Sequence, residues 1–397
     1  MEVKPGYKQA DVGVIPDGWC IRAVFEIAGY QKGRFDDGDW IESEHITNGG
    51  YRIVQTGNIG IGEFIEKESR KYIYESSFDK LKCKELIPGD LLICRLAEPA
   101  GRACILPDLG ETKVVTAVDV TIFRPSEIDA DRRYLVQYFS TAKWFESVLE
   151  QVGGTTHKRI SRSALGNIKV PLPSNLNEQR AIAAALSDMD ALLSGLDRLI
   201  TKKRAIKQAA MQQLLTGQSR LPGFSGEWDV KKLGDALVIK HGKSQKDVEA
   251  NDGVYPVLAT GGQIGLASLP IYQKPSVLIG RKGTINQPQY MDQPFWSVDT
   301  LFYSEMKSGN LAKFFYYRFC IIDWMQYNEA SGVPSLSAKT IEAIECSLPD
   351  SAEQAAVATV LSDMDTEISV LEARRTKTRS LKQAMMQELL TGRTRLI

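Results

Sequence analysis

Two long segments of the chain carry apolar residues at alternating spacings of four and three positions, which is the pattern of one buried stripe along an α-helix. In the first segment the stripe consists of Ile182, Leu186, Met189, Leu193, Leu196 and Ile200. In the second segment it consists of Val357, Leu361, Met364, Ile368 and Leu371. Because each helix alone would expose its stripe to water, we expect the two helices to pack antiparallel as a two-stranded coiled coil.

Residues with known positional preferences mark the ends of both helices. Each start carries the two polar residues of a capping box, whose side chains would satisfy free backbone amides: Asn175 with Glu178, and Asp350 with Glu353. Each end carries a glycine that tolerates a left-handed backbone conformation: Gly217 or Gly392. At a rise of about 1.5 Å per residue, a helix from Asn177 to Leu214 would be about 57 Å long.

The two helices lie in a sequence that occurs twice. Residues 178–221 and 353–396 align without a gap at a shift of 175 positions, and 25 of the 44 pairs are identical. The sequences ahead of the two copies resemble each other far less. A two-fold internal repeat suits a partner with two-fold pseudosymmetry, and double-helical DNA is the commonest such partner.

The sequence ahead of each repeated helix has the pattern of short β-strands bounded by Gly, Pro, Asp or Asn. The clearest runs are residues 51–55, 91–95, 114–123, 277–279 and 300–303. Each module then ends in a helical stretch rich in aromatic residues, at 133–149 and at 311–327. Since these aromatic side chains recur at helical spacing, we expect them to form core between helix and strands rather than a platform for stacking bases.

This order of elements predicts an α+β fold with a pseudo-two-fold repeat. Two β-rich modules, at 1–155 and 222–337, would be separated by two helical spacers, at 156–221 and 338–397. The modules share short matches: Ile93-Cys94-Arg95 with Ile279-Gly280-Arg281, and Ala117-Val118-Asp119 with Ser297-Val298-Asp299. Two modules that share a fold and differ in detail would suit a pair of readers with different targets.

Composition is that of an ordinary globular protein. Apolar residues make up 43% and charged residues 25% of the 397 positions. The six cysteines form no CxxC pair, the three histidines are scattered, and no apolar run reaches membrane-spanning length, so we expect neither a signal peptide nor a membrane span. We therefore expect a reduced cytoplasmic protein without a zinc site.

Net charge is zero overall but uneven along the chain. Residues 1–155 carry a net charge of −6, residues 156–221 a net +7, residues 222–337 a net zero and residues 338–397 a net −1. The positive charge around the first spacer is either a solvated helix face or a local strip sufficient for contact with phosphates.

Motifs for nucleotide binding or catalysis are absent from the sequence. It contains no GxxxxGK[ST], HExxH or GxSxG motif, and no Asn/Asp-Pro-Pro-Tyr/Phe motif for methylation of a base amino group. We therefore expect no cofactor and no catalytic residue. A self-sufficient endonuclease would need a cluster of acidic metal ligands, and the Asp and Glu residues are not grouped in that way.

The modules do offer polar and basic residues in Gly-rich loops, of the types that bind phosphates or base edges. In the first module and at its junction with the spacer the DNA-binding candidates are Lys32, Arg34, Asn58, Arg70, Lys71, Arg95, Arg102, His157, Lys158 and Arg159. In the second they are Lys240, Lys243, Gln263, Arg281, Lys282, Thr284, Asn286 and Lys339. The strongest candidates leave β-strands at Gly-rich turns: Arg95, Arg281 and Lys282. Lys158 and Arg159 follow, and Asp119 and Asp299 are expected to buttress the arginines, because DNA repels carboxylates.

The arrangement resembles the specificity subunits of type I restriction–modification systems, and the resemblance covers the whole chain. It is carried by the duplicated spacers, with their Glu-Gln, Leu-Ser-Asp-Met-Asp, Lys-Gln-Ala and Leu-Leu-Thr-Gly motifs. It is also carried by Leu278-Ile279-Gly280-Arg281-Lys282-Gly283-Thr284 and by Ile15-Pro16-Asp17-Gly18-Trp19, which is echoed at Leu221-Pro222 and Gly226-Glu227-Trp228. The first module departs from the GRKGT pattern and has Cys94-Arg95-Leu96-Ala97-Glu98 instead.

The resemblance implies two target-recognition domains, held apart by an antiparallel helical pair, that each read one half of a split, asymmetric site in double-stranded DNA. It implies a non-catalytic subunit whose spacers and flanking regions dock two methyltransferase (M) subunits. Those subunits bring S-adenosylmethionine and methylate adenine, and ATP-driven restriction (R) subunits complete the complex. An alternative interpretation is a two-headed adaptor that binds proteins through the same loops, in keeping with the near-neutral charge. Such an adaptor would show no salt-dependent binding to duplex DNA.

Overall fold

The computed structural model describes residues 4–154 and 158–396. Its fold divides into two compact units. Unit 1 comprises residues 1–195 and 375–397, and unit 2 comprises residues 196–374. Each unit therefore holds one β-rich module, one half of the first repeated helix and the opposite half of the second.

Unit 1 is built from short strands and helices. Its strands are β1 (Tyr7–Ala10), β2 (Gly13–Pro16), β3 (Trp19–Ala23), β4 (Phe35–Asp37), β5 (Ile46–Thr47), β6 (Tyr51–Val54), β7 (Lys71–Ile73), β8 (Leu91–Cys94), β9 (Ala103–Ile105), β10 (Val114–Thr116), β11 (Val120–Phe123) and β12 (Lys169–Pro173). Its helices are α1 (Val24–Ile27), α2 (Glu75–Lys80), α3 (Arg132–Tyr138), α4 (Ala142–Leu149), α5 (Arg162–Asn167) and the first part of α6 (Leu176–Leu215).

Two four-stranded sheets form the module of unit 1. The first is antiparallel, with the order β4-β11-β8-β9. The second has the order β10-β6-β7-β5, and in it β10 is parallel to β6. The aromatic stretch 133–149 forms α3 and α4, and Tyr134, Phe139 and Trp144 are fully buried in the core of the unit, as the sequence predicted.

Unit 2 repeats this organisation. After the second part of α6 its strands are β13 (Asp229–Lys232), β14 (Leu237–His241), β15 (Tyr255–Ala259), β16 (Gly262–Ala267), β17 (Ser276–Gly280), β18 (Gln289–Met291), β19 (Trp296–Ser297), β20 (Leu301–Met306) and β21 (Glu345–Leu348). Its helices are α7 (Leu233–Ala236), α8 (Ala312–Ile321), α9 (Ala338–Ala343) and the first part of α10 (Ser351–Leu389).

The sheets of unit 2 match those of unit 1 strand for strand in their central parts. The order β14-β20-β17-β18 corresponds to β4-β11-β8-β9, and β19 is parallel to β15 as β10 is to β6. The aromatic residues of the predicted helical stretch are buried here too: Phe314, Phe315, Tyr317, Phe319 and Trp324. The modules differ outside this frame, where unit 1 adds β5 and α2, and residues 55–70 separate β6 from β7 whereas β16 follows β15 in a tight hairpin.

The two ends of each module are joined by a pair of antiparallel strands. In unit 1 these are β3 and β12, and in unit 2 they are β13 and β21. The equivalence extends to single bonds, because Val24 N–H donates to the Ile168 carbonyl and Leu233 N–H to the Ile344 carbonyl. The spacers thus begin later than residues 156 and 338, because α5, α9, β12 and β21 belong to the modules.

Helices α6 and α10 are continuous over 40 and 39 residues, as the apolar stripe predicted. In unit 1 the early part of α6 packs against the late part of α10, and Asp190 Oδ1 lies 2.5 Å from Lys382 Nζ. In unit 2 the late part of α6 packs against the early part of α10, and Lys203 Nζ lies 2.7 Å from Glu367 Oε1. A second pair in each unit, Glu178 with Arg395 and Lys207 with Asp365, shows that partner numbers near α10 fall as those on α6 rise, so the helices are antiparallel within each unit.

The predicted stripe is largely buried. Seven of its members are buried: Ile182, Leu186, Leu196, Ile200, Val357, Leu361 and Ile368. Four are partly exposed: Met189, Leu193, Met364 and Leu371. The first residues of each stripe also enter the core of the adjacent module, so the helices hold the modules as well as each other.

The capping boxes form only in part. Asn175 Oδ1 accepts from the backbone N–H of Asn177, and Asp350 Oδ1 accepts from that of Glu353, both at 2.9 Å. The carboxylates of Glu178 and Glu353 are instead buried and bind arginines. The predicted capping role of the two glutamates is therefore wrong, because a buried carboxylate requires a charged partner.

The predicted left-handed glycines are confirmed, with φ of +75° at Gly217 and +72° at Gly392. The cysteines are free thiols. In the part of the chain that the structure describes, no helix combines the length and the apolar character needed to cross a membrane.

Candidate nucleic-acid interface

The turn that follows β17 in unit 2 presents Arg281 and Lys282 to solvent. A Cβ atom on Gly280 would overlap the carbonyl oxygen of Thr284, so the turn can close this tightly only with glycine at its start. Gly283 has a φ of +94°, in the region that favours glycine. The sequence Gly-Arg-Lys-Gly-Thr therefore forms a tight turn from which two basic side chains project.

Two further segments of unit 2 pack against this turn. The backbone N–H of Arg281 donates to the Thr300 carbonyl at 2.8 Å, and the Arg281 carbonyl accepts from Leu336 N–H at 2.9 Å. Together the segments form what we call junction surface 2: residues 281–284, 297–300 and 334–336.

Unit 1 contains the same arrangement. The backbone N–H of Arg95 donates to the Asp119 carbonyl at 2.8 Å, and the Arg95 carbonyl accepts from Ile160 N–H at 3.1 Å. The segments form junction surface 1: residues 95–98, 116–119 and 158–160. Short matches that were scattered along the sequence thus meet at one place in each unit.

These backbone bonds shift one of the sequence matches by a single position. Asp119 and Thr300 accept the equivalent N–H groups, so Asp119 corresponds to Thr300 and not to Asp299. Asp299 contacts Arg281 through its carbonyl oxygen, 3.2 Å from Nη1. The expected buttressing by the Asp299 carboxylate is therefore wrong, and that of Asp119 goes to Arg159, whose Nε lies 3.0 Å from Oδ1.

Arg95 is buried, with only 2% of its surface exposed. Its Nη2 lies 3.0 Å from Asp37 Oδ2 and donates to the Val118 carbonyl at 2.6 Å. Burial lowers the pKa of the Arg95 guanidinium from its ordinary value, and the Asp37 carboxylate opposes that shift. Contrary to the prediction, the buried Arg95 side chain connects the segments of junction surface 1 and is not exposed for contact with DNA in this structure.

Asn58 is also buried, at 2% exposure. Its Oδ1 accepts from Gln55 N–H at 2.9 Å and its Nδ2 donates to the Ile65 carbonyl at 2.8 Å. The side chain fixes a local turn, so its predicted role in DNA binding is not supported. Arg102 is half-buried, and its Nη2 lies 3.4 Å from Cys94 Sγ.

The other candidates of unit 1 lie at or near the surface. Lys32, Lys71 and Lys158 are exposed, and Arg34 is half-buried. Arg70 is exposed and its Nε lies 3.0 Å from Glu66 Oε1. His157 lies outside the described residues.

Junction surface 1 belongs to a closed network of opposite charges. Its acidic members are Asp36, Asp37, Asp39 and Asp119, and its basic members are Lys84, Arg95, Arg159 and Arg162. Lys84 Nζ, for example, lies 3.0 Å from Asp39 Oδ1. Each of these four guanidinium or ammonium groups therefore has a carboxylate beside it, whereas Lys158 is exposed without one among the described residues.

The basic candidates of unit 2 are freer. Arg281, Lys282, Lys243 and Lys339 are exposed, and among the described residues none of the four has an ion pair. Lys240 is half-buried, with Nζ 3.7 Å from Glu305 Oε2.

The uncharged candidates of unit 2 lie in the β17–β18 connection and in the β15–β16 hairpin. Asn286 is exposed and Thr284 half-buried in the connection from β17 to β18. Gln263 is exposed at the start of β16. The tip of the β15–β16 hairpin is tied to β18, because Gln289 Nε2 donates to the Ala259 carbonyl at 2.9 Å.

Sequence reasoning missed the polar residues that fasten each module to its spacer. Asp190 accepts from Gln137 Nε2 of α3 at 2.9 Å and pairs with Lys382. The equivalent Asp365 accepts from Tyr317 of α8 at 2.7 Å and pairs with Lys207. Burial raises the pKa of the Tyr317 hydroxyl, and the neighbouring Asp365 acts in the same direction.

Two buried glutamines make similar connections. Gln179 Oε1 accepts from Asp131 N–H at 2.8 Å, and Gln354 Oε1 accepts from Leu311 N–H at 3.0 Å. All of these fastening residues of the spacers are identical in the two copies although they are polar. Identity of polar positions within the repeat was the signal that could have found them.

Metal chemistry has no candidate site in the described part of the chain, where no group of three or more His, Cys, Asp or Glu side chains could hold an ion. The polar side chains at the two junctions carry guanidinium, ammonium, hydroxyl and carboxylate groups, which bind a partner through charge and hydrogen bonds.

Comparison with known proteins identifies the family. The profile of the type I restriction modification DNA specificity domain matches residues 16–207 and 225–378. The putative type I restriction enzyme MjaX specificity subunit of Methanocaldococcus jannaschii is 22% identical over 423 positions, which cover 98% of this chain and 97% of that protein. The MjaVIII specificity subunit of the same organism is 27% identical over 224 residues, 55% of this chain and 50% of that protein.

Solved structures share the fold. The S subunit of a type I restriction–modification system from M. genitalium superposes with a TM-score of 0.65 at 18% identity, covering 98% of both chains. A chain from a study of assembly and conformational transition in a type I system gives 0.58 at 14% identity, covering 95% of this chain and 99% of that one. Because the domain profile covers most of the sequence in two successive copies, this chain belongs to the family of type I restriction–modification specificity subunits.

Proposed function

We propose that the module of each unit reads one half of a bipartite, asymmetric site in double-stranded DNA. The observation that carries this proposal is the repeated junction, in which one backbone frame holds different side chains in the two units. A frame held constant by backbone bonds leaves side chains free to vary, and side chains in loops are what distinguish base edges.

The strand pair that joins the ends of each module supports independent reading. Strands β3 and β12 in unit 1, and β13 and β21 in unit 2, bring the two ends of each module together. A module that enters and leaves through one strand pair can change its loops without disturbing the helices below.

The long helices have a separate role in this proposal, which is to set the spacing between the half-sites. A helix of 40 residues is about 60 Å long at 1.5 Å per residue. The ion pairs of Asp190 with Lys382 and of Lys207 with Asp365 fix the register of the helices within each unit.

The helices and their flanks would also dock two methyltransferase subunits, which bring S-adenosylmethionine. Unit 1 has a groove of about 1620 Å³ beside the end of α10, lined in part by Tyr7, Val14, Tyr138, Met386 and Leu390. A partly apolar groove of this kind suits a protein partner. The chain itself would act in the cytoplasm as a non-catalytic subunit, and restriction subunits would complete the complex.

The test is to express the chain with its methyltransferase subunits in a host that lacks other adenine methylation, and to sequence the methylome. We expect methylated adenines at one split motif, and none when this chain is omitted. Methylation without this chain, or at sites with no shared motif, would contradict the proposal.

Duplex binding separates this function from that of a protein-binding adaptor. The assembled complex should bind duplex DNA with an affinity that falls steeply as salt rises, because phosphate contacts release counterions. An adaptor would show no such binding at any salt concentration.

A further inference from the structure

The two junctions carry opposite charges at equivalent positions. Gly38 and Gly242 mark the equivalence, because a Cβ atom on either would overlap the backbone of the turn beside it, at 116–117 or 297–298. The residues that follow them agree, since Asp39 N–H donates to the Thr116 carbonyl at 2.9 Å and Lys243 N–H to the Ser297 carbonyl at 2.8 Å.

Strand register extends the match to the residues ahead of these glycines. Asp37 pairs with Thr121 in unit 1, and His241 pairs with Phe302 in unit 2, in each case on the second residue of the equivalent strand. The positions therefore correspond as follows: Asp36 to Lys240, Asp37 to His241, and Asp39 to Lys243. Three carboxylates in unit 1 are replaced by two lysines and a histidine in unit 2.

In unit 1 these carboxylates neutralise the paired basic groups of the junction. The three aspartates lie against Lys84, Arg95 and Arg162, and Asp119 lies against Arg159. Basic groups that are already paired with carboxylates gain little from a phosphate, because binding it would bring a second negative charge to the same place.

The consequence in unit 2 is an open basic patch. Lys243 lies on one side of the turn 297–300, and Arg281 and Lys282 lie on the other, since both sides bond to the backbone of that turn. His241 is exposed with its ring against Phe302. Glu305 Oε2 lies 3.7 Å from Lys240 Nζ, and the backbone carbonyl of Asp299 accepts from Arg281.

We propose that unit 2 carries the salt-dependent contacts with the DNA backbone through Lys243 and Lys282, and that the paired basic groups of junction surface 1 contribute no phosphate contact. This inference rests on the proposed function, because it divides DNA binding between the two units. Unit 2 would then be the anchor, meaning the unit that supplies the phosphate contacts. Unit 1 would discriminate bases through residues outside its network of ion pairs.

The experiment needs no knowledge of the recognised sequence, because phosphate contacts are independent of sequence. Binding of the assembled methyltransferase complex to a random duplex is measured by fluorescence anisotropy over a series of salt concentrations. The slope of log Kobs against log[salt] should change by about 0.9 for each phosphate contact that is lost. Lys243→Ala and Lys282→Ala should each reduce the steepness by that amount, and the double variant by about twice as much.

Two matched variants complete the test. Lys274→Ala removes an exposed lysine just ahead of β17, at the opposite end of the strand from Arg281, and should leave the slope unchanged. Arg159→Ala removes a basic group of junction surface 1 and should also leave it unchanged. Circular dichroism and co-purification with the methyltransferase subunits confirm that each variant is folded and assembled.

The outcomes are distinguishable. If the wild-type complex shows no salt-dependent binding, the proposed function itself is wrong. If the complex binds but Lys243→Ala and Lys282→Ala leave the slope unchanged, unit 2 is not the anchor. If Arg159→Ala lowers the slope as much as they do, the two junctions share the backbone contacts and the inference is overturned.

Discussion

Arg395, near the end of the chain, binds both carboxylate oxygens of the buried Glu178, and its Nη2 lies 2.7 Å from Oε2. The indole Nε1 of Trp19 donates to the same carboxylate at 3.4 Å. Unit 2 has the same cluster, in which Arg220 Nη2 lies 2.6 Å from Glu353 Oε2 and Trp228 donates at 3.0 Å. Each unit is thus tied at the start of one long helix to the segment that follows the other.

Breaking the Arg–Glu pair of unit 2 should strongly destabilise it. Arg220→Ala leaves the buried Glu353 carboxylate without its charged partner, and a buried charge without a partner destabilises the fold. Urea unfolding followed by circular dichroism measures the loss. Arg180→Ala, at an exposed position of α6, is the control and should change stability by less than about 0.5 kcal/mol. Equal effects of the two variants would contradict this account.

Substitution by alanine should change stability in opposite directions at Gly195, inside α6, and at Gly392, just after α10. Gly392 has a φ of +72°, and a Cβ there would overlap the ring of Pro16, so Gly392→Ala should lower stability by at least about 1 kcal/mol. Gly195 lies inside α6 with open space around it, so Gly195→Ala should raise stability by up to about 1 kcal/mol. Thermal unfolding compares the two, and a stabilising Gly392→Ala would rule out the close approach of Pro16 to this glycine.

The equivalent arginines of the two junctions should have different mutant phenotypes. Arg281→Ala should leave the fold intact and weaken binding to the cognate site by about 1–3 kcal/mol if the side chain reads a base edge, with relaxed choice at one position. Arg95→Ala should instead lower the stability of unit 1, because it leaves Asp37 without its buried partner. Unfolding curves and methylome sequencing of both variants separate these results. If only Arg281→Ala lost stability, Arg281 rather than Arg95 would be the structural arginine.

Exchange of one module should change one half of the recognised site. The strand pairs that join the module ends define where to cut, so the replaced segment is 24–168 in unit 1 or 233–344 in unit 2, with β3, β12, β13 and β21 retained. We expect the methylome of either hybrid to keep the half-site of the untouched module. A hybrid in which both halves change would show that the modules do not read independently.

Lengthening the helices should lengthen the gap between the half-sites. Seven residues inserted after Gly195 and seven after Arg374 preserve the heptad phase and the ion pairs within each unit, and add about 10.5 Å. With about 3.4 Å per base pair, the preferred gap should grow by about three base pairs while the half-site sequences stay the same. Methylation of duplexes whose half-sites differ in spacing by one base pair measures the change. An unchanged gap would mean that the helices serve docking alone.

The amino-acid sequence determined the features that depend on neighbours along the chain. The period of apolar residues defined α6 and α10, because that period places them on one face of a helix. Gly217 and Gly392 ended the helices as predicted, because only glycine enters the left-handed region at little cost. Aromatic residues at helical spacing form core in both units, because that spacing also places them on one face of a helix.

The tertiary structure decided the features that depend on residues far apart in sequence. Glu178 looked like a capping residue from its neighbours, but its partner Arg395 lies 217 positions away. Arg95 and Arg281 looked alike in their local strand and turn, yet one is buried over Asp37 and the other is exposed. The charge of a surface, like the burial of a side chain, is set by whichever segments the fold brings together, and local sequence carries no record of them.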